Sequence, residues 1–125
     1  MLSDKFPVTR VLAMPENTNT AGGVFGGWIM AQMDIAGSIV AHQKVGGKVS
    51  TVASEAMRFH EPVFVGDVVS CFTEILRVGK TSLTIKITLI AERDHARGEC
   101  VNAAESTITY VAVDEFLSPR EHGCN

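Results

Sequence analysis

Residues 24–41 read Val24-Phe25-Gly26-Gly27-Trp28-Ile29-Met30-Ala31-Gln32-Met33-Asp34-Ile35-Ala36-Gly37-Ser38-Ile39-Val40-Ala41, apolar almost throughout and interrupted by a single acid. The run opens on one glycine pair, and a second pair, Gly46-Gly47, closes it, which predicts a helix from Phe25 to about Gln43. At about 1.5 Å of rise per residue that helix is close to 30 Å long and spans a small domain. Its apolar residues occupy most of the circumference, so it has to be packed on most sides. A carboxylate in such a place is costly, because a buried charge without partners loses its hydration. Asp34 is therefore a candidate for chemistry; the competing reading is a structural acid paired with a buried hydroxyl or with backbone.

On either side of the helix the pattern changes to strands. Phe6 to Met14 has enough β-branched and apolar character for one strand, which Pro15 stops. Glu16 to Gly23 is a loop of small and polar turn formers. After the helix come Lys48 to Phe59, ended by Glu61-Pro62, then a turn at Val65-Gly66-Asp67 and a strand over Val68 to Val78. Gly79-Lys80 is a hairpin tip. From Leu83 the alternation is clear, with Leu83, Ile85, Ile87 and Leu89 on one face and Thr84, Lys86, Thr88 and Ile90 on the other. Arg93 to Gly98 is a charged loop, and the last strand runs near Glu99 to Val113. Residues 1–5 read as a frayed start, and the tail from Asp114 has weak periodicity.

The order is thus strand, helix, then four strands joined by short turns. Short connections make neighbouring strands antiparallel, and the single helix must cover one sheet face. The expected class is α+β: one long central helix wrapped by a five-stranded antiparallel sheet, the hotdog arrangement, filling residues 1–125 as a single domain. One sheet cannot cover a helix that is apolar nearly all round, so a second copy related by a two-fold axis is expected to help.

Composition narrows the function. The chain is 46% hydrophobic with a formal net charge of -3 and no basic cluster, which argues against a nucleic-acid surface. Cys71, Cys100 and Cys124 are odd in number and lack C-x-x-C spacing; with no signal peptide in view, they suit free thiols in a reducing cytoplasm. Glycines and polar residues break the apolar run too often for a membrane span. His42, His60, His95 and His122 are scattered, so no metal site is expected, and no serine nucleophile elbow is present. Trp28, Met30 and Met33 read as packing residues that double as an apolar pocket wall. Cys71 and Cys100 read as buried strand residues, and Glu55 as a solvated or cross-strand paired acid.

Gly27, Met30 or Ala31, Asp34 and Ser38 follow one another about a turn apart on one stripe of the helix. The stripe begins at the helix N-terminus, where unpaired N–H groups favour developing negative charge. Gly26 and Gly27 permit close approach to the backbone. An acyl carbonyl polarised at that end and attacked with help from Asp34 is the chemistry the stripe suggests.

Three stretches together carry a resemblance: TNTAGGVFGGWIMAQMDIAGSIVA, VSTVASEAMRFHEPVFVGDVV and VGKTSLTIKITL, with the late segment YVAVDEFLSPR. From about Val11 to Arg120 the chain resembles the bacterial YciA-like acyl-CoA thioesterases, ACOT-type hotdog hydrolases related to the cytosolic brain-type acyl-CoA hydrolases of animals. The resemblance implies hydrolysis of acyl-CoA to free CoA and a carboxylic acid without a cofactor, by a homodimer assembled into a hexamer, a trimer of dimers. It implies Asp34 as catalytic general base or nucleophile, and Asn19, reaching across the dimer interface, as the amide that orients water or substrate. Gly26, Gly27 and Trp28 fall in its substrate-binding block. Gly79, Lys80, Thr81 and Ser82 match a turn near the CoA moiety, where backbone N–H groups, a cation and hydroxyls suit phosphate; Arg120 is a further candidate for the nucleotide end. Members usually carry a polar residue where Gly23 stands and often Asn where Ala21 stands.

Two rivals remain at the level of sequence. A hotdog hydratase or dehydratase normally uses a His with an acid, and no His precedes this helix. A non-catalytic acyl-CoA binding module is the other, and no DNA-binding or partner segment accompanies the domain.

Overall fold

The computed structural model describes residues 6–94, 98–114 and 119–120. The frayed start at 1–5, His95, His122, Cys124 and most of the tail lie outside them. Strand β1 is Thr9–Leu12, helix α1 is Gly26–Val45, and strands β2 to β5 are Val49–Phe59, Val68–Val78, Ser82–Asp94 and Glu99–Ala112. A 3-10 turn at Pro15–Asn17 leads from β1 towards the helix. The five strands form one antiparallel sheet in the order β1-β3-β4-β5-β2.

The helix lies on one sheet face, and its six buried residues are Ile29, Met33, Ala36, Gly37, Ala41 and Val45. Opposite them Leu83, Ile85, Ile87 and Leu89 of β4 are at most 1% exposed, so the alternation read from sequence is the core face. Gly46 ends the helix at φ +71°, with its N–H bonded to the His42 carbonyl, a left-handed cap that a side chain would strain. Gly66, at φ +93°, makes the turn before β3.

Three expectations change. The first strand is four residues rather than nine, because Pro7 has no N–H to pair and Phe6 is 93% exposed. The helix is not covered on most sides: Met30, Ile35 and Ile39 stay exposed, as does Phe25 just before it. Cys100 is exposed rather than buried, since it pairs with Glu92 near the β4–β5 turn, before the buried stretch of β5 begins at Ala103. Among the described residues no helix is long and apolar enough to cross a membrane.

Cys71 is buried on β3 as expected. Burial pushes its thiol up to about 11 from the ordinary 9.0, against a smaller opposing effect of a hydrogen bond with Thr9. The native state therefore keeps a proton that the unfolded chain releases as pH passes 9. Its contribution to stability is complete below that pH and is lost on the way to about 11. Alkaline denaturant titrations should show the wild type losing stability more steeply than a Cys71→Ala variant, by at most about 1.4 kcal/mol per pH unit.

Candidate active site

Asp34 stands midway along α1, half-buried, on the side of the helix next to β2. Two side chains converge on one of its oxygens. The Thr51 hydroxyl donates to Oδ1 at 2.7 Å, and the Tyr110 hydroxyl approaches the same oxygen at 3.0 Å and the Asp34 backbone carbonyl at 2.9 Å. Thr51 and Tyr110 are directly opposed partners of β2 and β5, so they project from the same face of the sheet. The ladder shifts register immediately after Thr51. Among the described residues Oδ2 accepts no hydrogen bond. The carboxylate is held by one oxygen and presents the other.

One helical turn beyond Asp34 a cavity of about 480 Å³ opens, lined by Ser38, Ile39, His42, Gln43, Lys48 and Val49. A second, of about 340 Å³, lies at the start of the helix, where Val24, Ile29 and Val63 meet Phe59. The Gly26 and Gly27 N–H groups have no hydrogen-bond acceptor among the described residues; Trp28, bonded to the Phe25 carbonyl, is the first that does. A Cβ added at Gly27 would meet only open space, whereas one at Gly26 would touch the Phe59 ring. Trp28 is half-buried against the core. Gly27 and Asp34 are separated by about 10 Å of helical rise, beyond what one carbonyl can bridge by direct hydrogen bonds. A single helix therefore does not bring both to one substrate carbonyl.

Asn19 organises the loop before the helix. Its Oδ1 accepts the N–H groups of Ala21 at 2.9 Å and Gly23 at 3.2 Å. These bonds go to backbone, so they survive with Ala21 and Gly23 in place of the polar residues usual in the resembling family. Its Nδ2 makes no hydrogen bond among the described residues and is left as the donor.

The other candidates gather elsewhere. The Gly79–Ser82 tip and Arg120 meet at the end of β5, where Thr81 accepts the Ala112 N–H and Arg120 donates its backbone N–H to Ala112. Lys80 is exposed at that tip, while the Ser82 Oγ packs where a Gly79 Cβ would sit. The Arg120 guanidinium reaches the Val113 and Val45 carbonyls, putting positive charge at the C-terminus of α1. So the phosphate-type candidates share one end of the molecule, and Gly26, Gly27 and Trp28 the other. His60, which pairs with Glu105 at 3.2 Å, lines the cavity at the start of the helix together with Gly26. No cluster of metal-ligating side chains occurs among the described residues.

Sequence reading missed Thr51 and Tyr110. Both lie in stretches that carry the family resemblance, VSTVASEAM and YVAVDEF, but only the strand register makes them neighbours of Asp34.

A sequence profile of the thioesterase superfamily matches residues 21–96, the segment that carries the helix, Asp34 and Thr51. The chain belongs to the thioesterase superfamily. Within it, the chain is 44% identical over 115 residues to the acyl-CoA thioester hydrolase YciA of Escherichia coli, covering 90% of this chain and 87% of that one. The fold matches a hexameric thioesterase of Yersinia pestis with a TM-score of 0.90 and 42% identity over 98% of both chains. It also matches an acyl-CoA hydrolase of Staphylococcus aureus in complex with butyryl coenzyme A, with a TM-score of 0.83 and 26% identity, covering 90% of this chain and 68% of that one. That hydrolase is known, too, as an Asn-to-Ala and an Asp-to-Ala variant. The hotdog fold expected from the sequence is thus the fold observed.

Proposed function

We propose that this chain hydrolyses acyl-CoA thioesters to free CoA and a carboxylic acid, with Asp34 as the acting carboxylate. The observation that carries the reading is Oδ2 of the half-buried Asp34, without a hydrogen bond among the described residues while Oδ1 is held by Thr51 and Tyr110. That oxygen takes a proton from water as the water attacks the thioester carbonyl, or itself adds to the carbonyl to give an anhydride that water then opens. Either way the carbon–sulfur bond breaks, and the CoA thiolate leaves with a proton from solvent. No cofactor is required.

Asn19 and the helix N-terminus supply the electrophilic side. Their donors, Nδ2 of Asn19 and the free N–H groups of Gly26 and Gly27, belong to one protomer, and Asp34 with its two anchors to its partner. The 10 Å of rise between Gly27 and Asp34 favours this two-chain site. The choice of Asn19 and Asp34 as the pair is supported by the Staphylococcus aureus hydrolase, whose substituted Asn and Asp are fifteen positions apart, the same separation as here. A homodimer is then the catalytic unit, and the exposed Phe25, Met30, Ile35 and Ile39 give it apolar surface to bury. Assembly of three dimers into a hexamer follows the Yersinia pestis relative. Trp28 lines the acyl side, while Gly79, Lys80, Thr81, Ser82 and Arg120 serve the nucleotide. The free thiols suit a cytoplasmic setting.

A thiol-release screen over acyl-CoAs from short to long chains tests the reading, with release expected from at least one chain-length class. Hydration of crotonyl-CoA without thiol release would assign a hydratase instead. Thermal stabilisation by CoA with no turnover of any kind would leave a binding module.

A further inference from the structure

We infer that Tyr110 is the positioning residue of the site: its hydroxyl, seated in a notch left by Gly37, fixes the rotamer of Asp34 so that Oδ2 faces the substrate. The inference rests on the reading of Asp34 as the acting carboxylate and adds a residue to it.

The geometry is that of a clamp. Asp34 has two rotatable side-chain bonds, and a helix surface would leave it several orientations. The Tyr110 hydroxyl bonds the Asp34 backbone carbonyl at 2.9 Å and Oδ1 at 3.0 Å, tying the side chain to its own main chain through one shared proton. Thr51 adds a second donor to the same oxygen. Thr51 is exposed and can be replaced by water, whereas Tyr110 is 0% exposed, on the fourteen-residue strand β5, and water has no access to its place. The firm member of the pair is therefore the phenol.

Gly37 makes the approach possible. A Cβ there would lie 2.8 Å from the Tyr110 Cζ and 2.9 Å from the Ile87 Cδ1, and closer still to the hydroxyl. Glycine inside a helix is ordinarily unfavourable, so a helix that keeps one at this contact keeps it for the close approach. The phenol also remains a donor across the working range. Burial first, then the charge of Asp34 and the bond to it, push its ionisation far above that of a free tyrosine.

Tyr110 is the only tyrosine of the chain, which makes the clamp visible without reference to turnover. In Tyr110→Phe the ring still fills its slot and only the hydroxyl is lost. Expected is a fall in kcat of about tenfold with KM within about twofold, and a thermal midpoint lower by only several degrees for the lost hydrogen bond. Unchanged kcat would overturn the inference. Should the variant fail to fold, the near-ultraviolet difference spectrum of Asp34→Asn against wild type decides. A shifted tyrosine band, from loss of the charged acceptor, supports the clamp, and an unshifted one overturns it. If Asp34→Asn itself retained full turnover, the hydrolytic reading would fall even where the tyrosine band moved, so the two failures are distinguishable.

Discussion

Asp34→Asn is expected to lower kcat for acyl-CoA hydrolysis by about 10³-fold, within the range that a positioned base contributes. The substitution keeps Oδ1 as an acceptor for Thr51 and Tyr110, so both anchors retain their partner and the helix keeps its packing. What is lost is the charge and the basicity at Oδ2. Asp34→Ala removes both, and Tyr110 still has the backbone carbonyl to bond. Both variants should therefore fold, with thermal midpoints within a few degrees of wild type, and both should be inactive. Steady-state thiol release alongside a thermal melt reads the two quantities together. Full turnover in a folded Asp34→Asn protein would remove the carboxylate from the mechanism.

The second large effect comes from mixing two inactive proteins. If the donors of Asn19 come from one protomer and the carboxylate of Asp34 from the other, Asn19→Ala and Asp34→Ala damage opposite halves of each site. Co-expressed, they form hybrid dimers in which one site carries both lesions and the other carries neither. With random pairing about one site in four is intact, so activity should return to about a quarter of wild type from two nearly silent parents. Titration of sites with a slowly hydrolysed acyl-CoA checks the fraction. Persistent inactivity of a well-mixed hybrid would mean that Asn19 and Asp34 serve the same chain.

Local signals carried most of the fold. The helix bounds followed from two glycine pairs, β3 matched its expected range of Val68–Val78, and the buried face of β4 was readable as period two. The errors lay where local pattern does not determine burial. Cys100 sits in a strand with core composition, but it lies near the β4–β5 turn, before the buried stretch of β5 begins at Ala103. Met30, Ile35 and Ile39 of α1 have core composition as well, yet they are exposed in the single chain.

The site divided in the same way. Asp34 was legible because an acid in an apolar helix is an anomaly that a sequence displays by itself. Its anchors were not, because Thr51 is 17 residues away and Tyr110 is 76, and each is an unremarkable strand residue in isolation. The competing expectation, an acid paired with a buried hydroxyl or with backbone, describes one oxygen, Oδ1, which takes the buried Tyr110 hydroxyl. Half of the carboxylate is structural, and the other half has no hydrogen bond among the described residues.

Gly37 has a consequence for heat-hardening. Alanine in place of an interior helical glycine is a common route to a more durable protein, worth about 1 kcal/mol where nothing stands in its way. Here the added methyl would land on the phenol. A descendant adapting to hotter surroundings would have to leave this position alone and gain its robustness elsewhere, because the gap that loosens the rod is also what lets the acid be aimed.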